Sequence, residues 1–177
     1  MTDLLVERAR RGDPDAFVAL IEQRQVAMAR VATAILGDEA DVADALQETL
    51  VSLWRELPRL RNVERFPAWA DSILINACRL VLRRRVRARV RLVRLDAEND
   101  FPAAGVGPDT ELADRDAFWR AFERLSVDAR AILVLHHLEG RSVDDVAAAL
   151  GIPRGTVKSR LFAARRELER SLDMEQR

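Results

Sequence analysis

One stretch near the C-terminus decides the fold: residues 138–161, which read LEGRSVDDVAAALGIPRGTVKSRL. Gly140 favours the end of one helix, because a helix C-terminus often needs a left-handed residue. Ser142 favours the start of the next helix, and Asp145 completes a pair that resembles a capping box. Residues 151–153 (Gly-Ile-Pro) predict a tight turn before a second helix. Two short helices joined in this way are typical of a helix-turn-helix, whose second helix commonly enters the major groove of DNA.

The second of these helices is predicted to have an apolar side and a cationic side. Its apolar stripe follows helical spacing and comprises Val157, Leu161, Ala164 and Leu168. The opposite face carries Gly155, Ser159, Phe162, Ala163 and Arg166, with Lys158 and Arg165 on one flank and Thr156 and Arg160 on the other. An outward phenylalanine among cations favours DNA contact, with the ring against a thymine methyl group and the cations on phosphates. The alternative is a merely solvated helix in which Phe162 packs against a neighbour.

These residues resemble the last conserved region of bacterial sigma factors, most of all the extracytoplasmic-function (ECF) group. The resemblance implies docking on the −35 promoter element through His136, Arg154, Thr156, Lys158, Ser159, Arg160, Phe162, Arg165 and Arg166. His136 stands where family members often carry a phosphate-contacting arginine, and a plain surface histidine is the alternative. Ala163 stands where many relatives have a long polar or basic side chain, so we expect relaxed base reading there.

Charge is arranged in blocks although the total is balanced. The 177 residues include 29 basic and 29 acidic side chains. Residues 36–54 carry five acids and no base, residues 55–94 twelve arginines and three acids, and residues 95–118 seven acids and one arginine. The balanced total argues mildly against a nucleic-acid binder. The blocks favour separate surfaces for separate partners.

Composition indicates an all-α, soluble protein of the cytoplasm. Glycine is sparse, tyrosine is absent, and strand-like alternation occurs only at residues 85–92. The single cysteine, Cys78, excludes an intramolecular disulfide framework and is expected to be a small buried hydrophobe. No apolar run approaches the roughly 18 residues that suggest a membrane span, and residues 3–15 lack the apolar core of a signal peptide. Because no phosphate loop, nucleophile elbow or metal-ligand cluster is apparent, we expect neither catalysis nor a metal or cofactor.

The chain is predicted to form two small helical domains on a tether. Residues 1–94 make the first domain, residues 95–112 an acidic, flexible linker with Pro and Gly, and residues 113–177 the second domain with the helix-turn-helix. Apolar residues keep helical spacing between Phe17 and Ile35 in the first domain. In the second domain, the predicted inward residues are Phe118, Phe122, Leu125, Ile132, Leu133, Leu135 and Leu138. The adjacent His136 and His137 are expected to face apart, which argues against a metal site.

An acidic helix is predicted over residues 41–57. Its inner stripe comprises Val42, Leu46, Leu50, Leu53 and Leu57. Acids on an outer face are commonly just solvated, but residues 44–55 (DALQETLVSLWR) resemble the sigma-factor segment that grips the clamp of core RNA polymerase. The resemblance implies a polymerase-binding face of Asp41, Asp44, Gln47, Glu48, Leu50, Val51 and Trp54. Charge there is expected to set orientation and encounter rate, while apolar neighbours supply much of the affinity.

A basic helix is predicted after a short loop at residues 59–65. Residues 66–69 (FPAW) and 76–79 (NACR) resemble the sigma region that melts and reads the −10 promoter element. The resemblance implies a flipped base held near the loop and DNA contacts from Arg61, Asn62, Val63, Asn76, Arg79, Arg83 and Arg84. Asp71 and Ser72 stand where the family commonly has an aromatic residue and an arginine, and an acid facing melted DNA would repel phosphate.

Two features of this basic helix allow alternatives. Trp69 is favoured as a core residue over a stacking platform for bases. The arginine-rich run at residues 83–94 favours phosphate contact, with a soluble tail as the alternative, and a helix is preferred over a strand because no partner strand is visible.

The resemblance spans almost the whole chain except the linker. It implies an alternative sigma factor of the ECF type whose partners are core RNA polymerase, promoter DNA and an anti-sigma factor, without membrane insertion. The main alternative is a stand-alone helix-turn-helix regulator that binds an operator without polymerase, which leaves the acidic helix unexplained. A second alternative is a protein-interaction adaptor with a vestigial helix-turn-helix.

Overall fold

The computed structural model describes residues 2–93 and 110–175, and side chains within residues 2–88 and 116–175. Over these ranges the chain forms helices and helical turns without a strand, so the predicted all-α fold with two helical parts is confirmed. The predicted linker, residues 95–112, lies outside the described residues except for residues 110–112, which already begin a helix. The described helices are each too short or too polar to span a membrane.

As far as the chain is described, its N-terminal half forms five α-helices and two short 3-10 turns. The helices are α1 (Thr2–Arg10), α2 (Pro14–Glu22), α3 (Gln25–Leu36), α4 (Glu39–Glu56) and α5 (Phe66–Val93). The 3-10 turns, Leu57–Arg59 and Val63–Arg65, connect α4 to α5. Residues 85–92 continue α5, which confirms a helix there rather than a strand.

The sequence pattern did not predict α1, nor the break between α2 and α3. Asp13 caps α2, since its side chain accepts a hydrogen bond from the backbone N–H of Ala16 at 3.0 Å. The apolar spacing continues through both helices, yet the chain bends at residues 23–24. Arg24 at this bend turns its side chain toward α5, where it pairs with Asp71. Helical spacing alone therefore did not show the break between α2 and α3, where the side chain of Arg24 makes a tertiary contact.

Helix α4 buries a wider stripe than the predicted one. Ala45, Thr49 and Leu53 are buried, whereas the predicted Val42, Leu46 and Leu50 are partly buried against the core (the predicted Leu53 and Leu57 are buried as expected). The pattern of apolar residues does not indicate that Thr49 is buried, because threonine is polar. Its hydroxyl is satisfied inside the helix, where it donates to the Ala45 carbonyl at 2.6 Å.

The C-terminal half contains the predicted helix-turn-helix. Its elements are α6 (Thr110–Glu123), α7 (Val127–Leu133) with a π-helical turn over Val134–Leu138, α8 (Val143–Leu150) and α9 (Arg154–Glu175). Ser142 and Asp145 form both hydrogen bonds of a capping box at the start of α8. Gly140 adopts the predicted left-handed conformation, with φ of +64°, and Gly151, which begins the predicted turn, is also left-handed, with φ of +65°.

Three expectations for this half are wrong in detail. Phe118 and Leu138 are 37% and 51% exposed rather than inward. The rings of His136 and His137 do not face apart but meet edge to face, with centroids 4.9 Å apart. The π-helical turn explains this contact, because its wider i→i+5 bonding, seen from Glu139 N–H to the Val134 carbonyl, rotates successive residues less than an α-helix does.

The two halves pack against each other. Helix α8 lies on α5, and α7 with its π-helical turn lies on α3. Buried apolar residues from both halves join one continuous cluster, in which Leu74 and Ile75 of α5 and Ile132 and Leu135 of the second half are fully buried. The placement of the second half is therefore set by side-chain packing as well as by the chain connection.

Cys78 is a buried member of α5, as predicted. Burial raises the pKa of its thiol from 9.0 to about 12. Because the pKa is raised in the folded state, the unfolded state loses its thiol proton first, and folding free energy is lost as pH rises from 9 toward 12.

We therefore expect the wild-type chain to lose about 1 kcal/mol more unfolding free energy between pH 9 and pH 10 than the Cys78→Ala variant. Urea unfolding at pH 8, 9 and 10 measures this difference. Equal losses in the two proteins would contradict a raised thiol pKa.

Candidate functional site

Helix α4 presents an exposed acidic face. Asp44, Gln47, Glu48 and Val51 are exposed at i, i+3, i+4 and i+7, which places them on one side of the helix. Trp54 extends this face; it is 41% exposed and packs edge to face on Phe17 at 5.0 Å. A large indole held by a neighbour and open to solvent is well suited to contact a protein partner.

Two predicted members of this face lie elsewhere. Asp41 forms an ion pair with Arg85 of α5 at 3.1 Å, so its carboxylate is already engaged within the chain. Leu50 is partly buried and packs against the core. The freely presented part of the predicted face is therefore narrower than the sequence pattern indicated.

A groove lies between the loop before α5 and the first turns of α5. It measures about 460 Å³, and its lining includes Arg61, Asn62, Trp69 and Ser72. The Asn62 side chain accepts from the Glu64 backbone N–H at 2.9 Å, which fixes the start of the second 3-10 turn. Val63, the third predicted loop residue, packs partly buried against the core. The groove combines a cation, an amide and an aromatic edge, which are the groups that hold unstacked bases.

Trp69 and Ser72 both line this groove, and the side chain of each is partly buried. Trp69 contacts the buried Phe66, with ring centroids 5.9 Å apart, and also lines the groove, so it is both a packing residue and an accessible one. The Ser72 hydroxyl donates to the Trp69 carbonyl at 2.6 Å and is thereby satisfied within the helix. Ser72 thus offers a small polar surface rather than a charged one.

The remaining predicted −10 residues follow along α5. Asn76, Arg83 and Arg84 are exposed, whereas Arg79 is partly exposed and forms an ion pair with Asp128 of the second half at 2.8 Å. Asn76 also accepts a hydrogen bond from Arg79 at 2.8 Å. Arg89, Arg91 and Arg94 of the basic run have side chains outside the described residues. The described arginines give this end of α5 the positive surface that phosphate contact needs.

The expectation that Asp71 would face DNA is wrong, because its side chain is buried. It is only 3% exposed and points into the protein, where Arg24 lies 2.7 Å away and Arg141 lies 2.9 Å away. Burial raises the pKa of Asp71, and the two guanidinium groups act against that rise. The carboxylate therefore does not repel a nucleic acid in the groove, because the protein already surrounds it with positive charge.

Helix α9 separates its apolar and cationic sides as predicted. Val157, Leu161 and Ala164 are buried, and Leu168 is partly buried. The opposite face exposes Gly155, Ser159, Phe162, Ala163 and Arg166. Phe162 is 63% exposed, which excludes the alternative that its ring is packed away, and the Arg166 guanidinium lies 5.8 Å from the ring centroid.

Some side chains on the flanks of α9 already bind other residues of the protein. Lys158 and Arg160 are exposed, and Thr156 accepts the Ser159 hydroxyl at its carbonyl oxygen at 3.1 Å. Arg154 pairs with the exposed Asp144 of α8. Arg165 donates to His137 Nε2 at 3.0 Å, and burial together with the Arg165 charge lowers the pKa of His137.

His136 is partly buried and makes a local structural contact. Its Nδ1 lies 2.8 Å from the Arg141 carbonyl oxygen, which ties the π-helical turn to the loop before α8. Among the described residues, no group of three or more His, Cys, Asp or Glu side chains is arranged to hold a metal ion. Through their contacts with Arg141 and Arg165, the two histidines hold together the segment that precedes the helix-turn-helix.

Comparison with known proteins decides the family. Residues 20–88 match the model of sigma-70 region 2, and residues 115–168 match that of sigma-70 region 4. The ECF RNA polymerase sigma-E factor of Salmonella typhimurium is 31% identical over 96% of this chain and 93% of its own length. The chain belongs to the ECF family of RNA polymerase sigma factors. The sigma-E factor of Escherichia coli K12 shows the same identity and coverage, and the Pseudomonas aeruginosa PAO1 RNA polymerase sigma-H factor is 30% identical over 95% of this ECF sigma factor and 92% of its own length.

Solved structures agree with this family. The ECF sigma factor superposes on CnrH, in the complex with the cytosolic domain of CnrY, with a TM-score of 0.70 and 28% identity over 97% of both chains. It also superposes on the sigma factor RpoE of Bartonella quintana, in the complex with the anti-sigma factor NepR, with a TM-score of 0.64. That match has 26% identity and covers 89% of this chain and 96% of the other.

The residues that sequence reasoning missed join the two halves. Arg24 and Arg141 meet at Asp71, Arg30 pairs with Glu139 at 2.8 Å, and Arg130 donates to the Ile35 carbonyl. The only signal in the sequence was Asp71 itself, which departs from the family at a position expected to face DNA. Its partners are 47 and 70 residues away along the chain, so no local pattern indicated them.

Proposed function

We propose that this ECF sigma factor recruits core RNA polymerase through its first half and recognises promoter DNA through both halves. The family is one of transcription initiation factors, and the ECF sigma factor directs promoter-specific transcription. We further propose that it works in the cytoplasm and contributes no catalysis or cofactor of its own, because the polymerase supplies the chemistry.

The polymerase-binding surface proposed here is the exposed face of α4. Asp44 and Glu48 supply negative charge, and Val51 and Trp54 supply apolar area beside it. This combination supports docking on a basic partner, since opposite charge guides the encounter while the apolar centre gives affinity. Asp41 and Leu50 then support this surface without contacting the partner. Asp41 pairs with Arg85 of α5, and Leu50 packs against the core.

The proposed DNA surfaces lie in both halves. In residues 1–94, the groove at Arg61, Asn62 and Trp69 would hold an unstacked −10 base, and Asn76, Arg79, Arg83 and Arg84 would follow the strand. In residues 113–177, the exposed face of α9 would enter the major groove at the −35 element. Each half alone has few contacts, and joining them on the polymerase raises the effective concentration of the second contact.

One observation carries this proposal above the alternatives. A chain that only binds an operator has no use for a helix that exposes two acids and a tryptophan on one side. The α4 face is such a surface, and it lies in the segment that matches sigma-70 region 2. We also propose that an anti-sigma factor controls this protein, because one of its structural relatives is bound to such a factor.

Site-specific photo-crosslinking tests these surfaces. A photoreactive amino acid replaces Val51 or Phe162, and each protein is assembled with core polymerase on promoter DNA. We expect Val51 to crosslink to a polymerase subunit and Phe162 to crosslink to DNA at the −35 element. Val18, which is 54% exposed on α2, serves as the control position. Equal crosslinking from Val18 and Val51 would contradict the proposed polymerase surface.

A further inference from the structure

An apolar cavity lies between α6, the π-helical turn and α9. It measures about 370 Å³. Its apolar walls include Phe118, Trp119 and Phe122 of α6, Leu138 of the π-helical turn and Leu168 of α9. Sites for small molecules commonly have roughly 300–1,000 Å³ and mostly apolar walls with a few polar groups. The size and the lining of this cavity are therefore those of a small-ligand site.

Three aromatic rings of α6 form one side of the cavity. Phe118 and Phe122 lie nearly parallel, with ring planes 16° apart and centroids 5.8 Å apart. The Trp119 indole stands edge to face against both, with its centroid 5.5 Å from that of Phe118 and 5.9 Å from that of Phe122. Phe118 and Trp119 are 37% and 40% exposed, so both rings are accessible. Flat aromatic molecules pair with such rings by offset stacking or edge to face.

The cavity has a positive group at its edge, the guanidinium of Arg165 on α9. Its Nε and Nη2 atoms donate to Nε2 of His137, at 3.2 and 3.0 Å. Within the described part of the chain, no carboxylate lies within ion-pairing distance of Arg165. The guanidinium is therefore held in place by an uncharged acceptor, and its charge is left without a described counterion.

His137 can hold Arg165 in this way only while its ring is neutral. Burial, together with the charges of Arg165 and His136, lowers the pKa of His137. The ring is therefore neutral near pH 7, and its Nε2 atom is available to accept. The edge of the cavity keeps a fixed positive charge as a result.

We propose that this cavity is a binding site for a small aromatic carboxylate, whose rings lie against the aromatic side chains of α6 and whose carboxylate pairs with Arg165. The planar guanidinium matches a carboxylate in a charge-assisted, bidentate geometry. The aromatic wall favours a flat apolar body next to that charged end. The inference does not rest on the proposed function, because the binding requires neither polymerase nor DNA.

Calorimetric titration of the purified full-length protein tests the site. The probe is 2-naphthoate, and 2-naphthamide is its uncharged counterpart of the same shape. We expect 2-naphthoate to saturate one site with a Kd below about 1 mM. We expect 2-naphthamide to bind at least about tenfold more weakly, because it lacks the charge-assisted contact. The proposal is wrong if 2-naphthoate does not saturate one site in this range, or if the two probes bind equally.

A pair of arginine variants tests the charged end of the site. Arg165→Gln is expected to weaken binding of 2-naphthoate about tenfold and to leave that of 2-naphthamide unchanged. Arg170→Gln removes the same charge from another exposed arginine of α9 and is the matched control. We expect it to leave the binding of both probes unchanged. Equal weakening by the two variants would mean that general charge attracts the probe, and would overturn the site.

Variants of the walls test the position of the aromatic end. Phe118→Ser on α6 and Leu138→Ser on the π-helical turn are both at exposed positions and are each expected to weaken both probes about tenfold. Circular dichroism identifies the variants that keep the fold, and either of them decides the outcome. Phe162→Ser is the matched control, since Phe162 is 63% exposed and also has an arginine, Arg166, beside its ring. Weakening by Phe162→Ser equal to that by Phe118→Ser would contradict binding in the cavity.

A second copy of the chain is the competing occupant of this apolar surface. Sedimentation velocity over a range of protein concentrations distinguishes the two occupants. We expect a monomer with and without 2-naphthoate. A dimer that Phe118→Ser dissociates, in a protein that does not bind 2-naphthoate, would show that the cavity is a contact between copies and would overturn the ligand site.

Discussion

Replacing Asp44 and Glu48 together with arginine is expected to weaken binding of core RNA polymerase about 100-fold, which corresponds to about 2.8 kcal/mol. Both side chains are exposed on the same face of α4, one turn apart. Reversing their charge places like charges against a basic partner, which costs several kcal/mol at a protein interface. Fluorescence anisotropy of the labelled sigma factor against purified core enzyme measures the change.

The matched control for this variant reverses two other exposed acids. Glu167→Arg/Glu169→Arg changes the net charge equally on α9, away from the proposed polymerase surface. We expect this control to bind core polymerase with nearly the wild-type affinity. Equal weakening by both double variants would show that net charge alone, and not the α4 face, governs binding.

Removing Lys158 or Arg166 is expected to weaken promoter binding by the polymerase–sigma complex about fivefold for each change and to lower the salt slope. Both side chains lie exposed on or beside the outer face of α9. Each phosphate contact that is lost reduces the slope of log affinity against log salt by about 0.9. Promoter binding is therefore measured at several salt concentrations for Lys158→Ala and for Arg166→Ala.

Arg11→Ala is the control for this pair, because Arg11 is an exposed arginine at the end of α1, far along the chain from the recognition helix. Its salt slope should match the wild type. If Lys158→Ala and Arg166→Ala also keep the wild-type slope, α9 does not contact phosphate and the adaptor alternative gains support.

The helix-turn-helix was predictable because its determinants are local. Gly140, Ser142 and Gly151 act through turn and cap geometry within a few residues, and the structure gives each the predicted conformation. The faces of α9 followed equally from helical spacing, which explains why Phe162 was expected on the outside. Local chemistry of this kind is contained in a short window of sequence.

The arrangement of the two halves was not predictable in the same way. Nothing near Asp71 in the sequence indicates Arg24 or Arg141, so the sequence alone leaves this acid in conflict with a DNA-facing position. The exposure of Leu138 was missed for a related reason, since spacing shows that a helix is amphipathic but not where a π-helical turn changes the rotation. The predicted roles of the site residues and the exact domain boundaries stay predictions.

Run-off transcription by purified core RNA polymerase, with and without this protein, shows whether the two halves together direct initiation at promoters. A library of promoter-length DNA fragments serves as template, and the products identify the sequences used. We expect initiation that depends on the protein, from templates that share two elements at a fixed spacing. A protein that supports no initiation with a compatible core enzyme, yet binds a specific site by itself, would contradict the claim that its two halves act together on the polymerase.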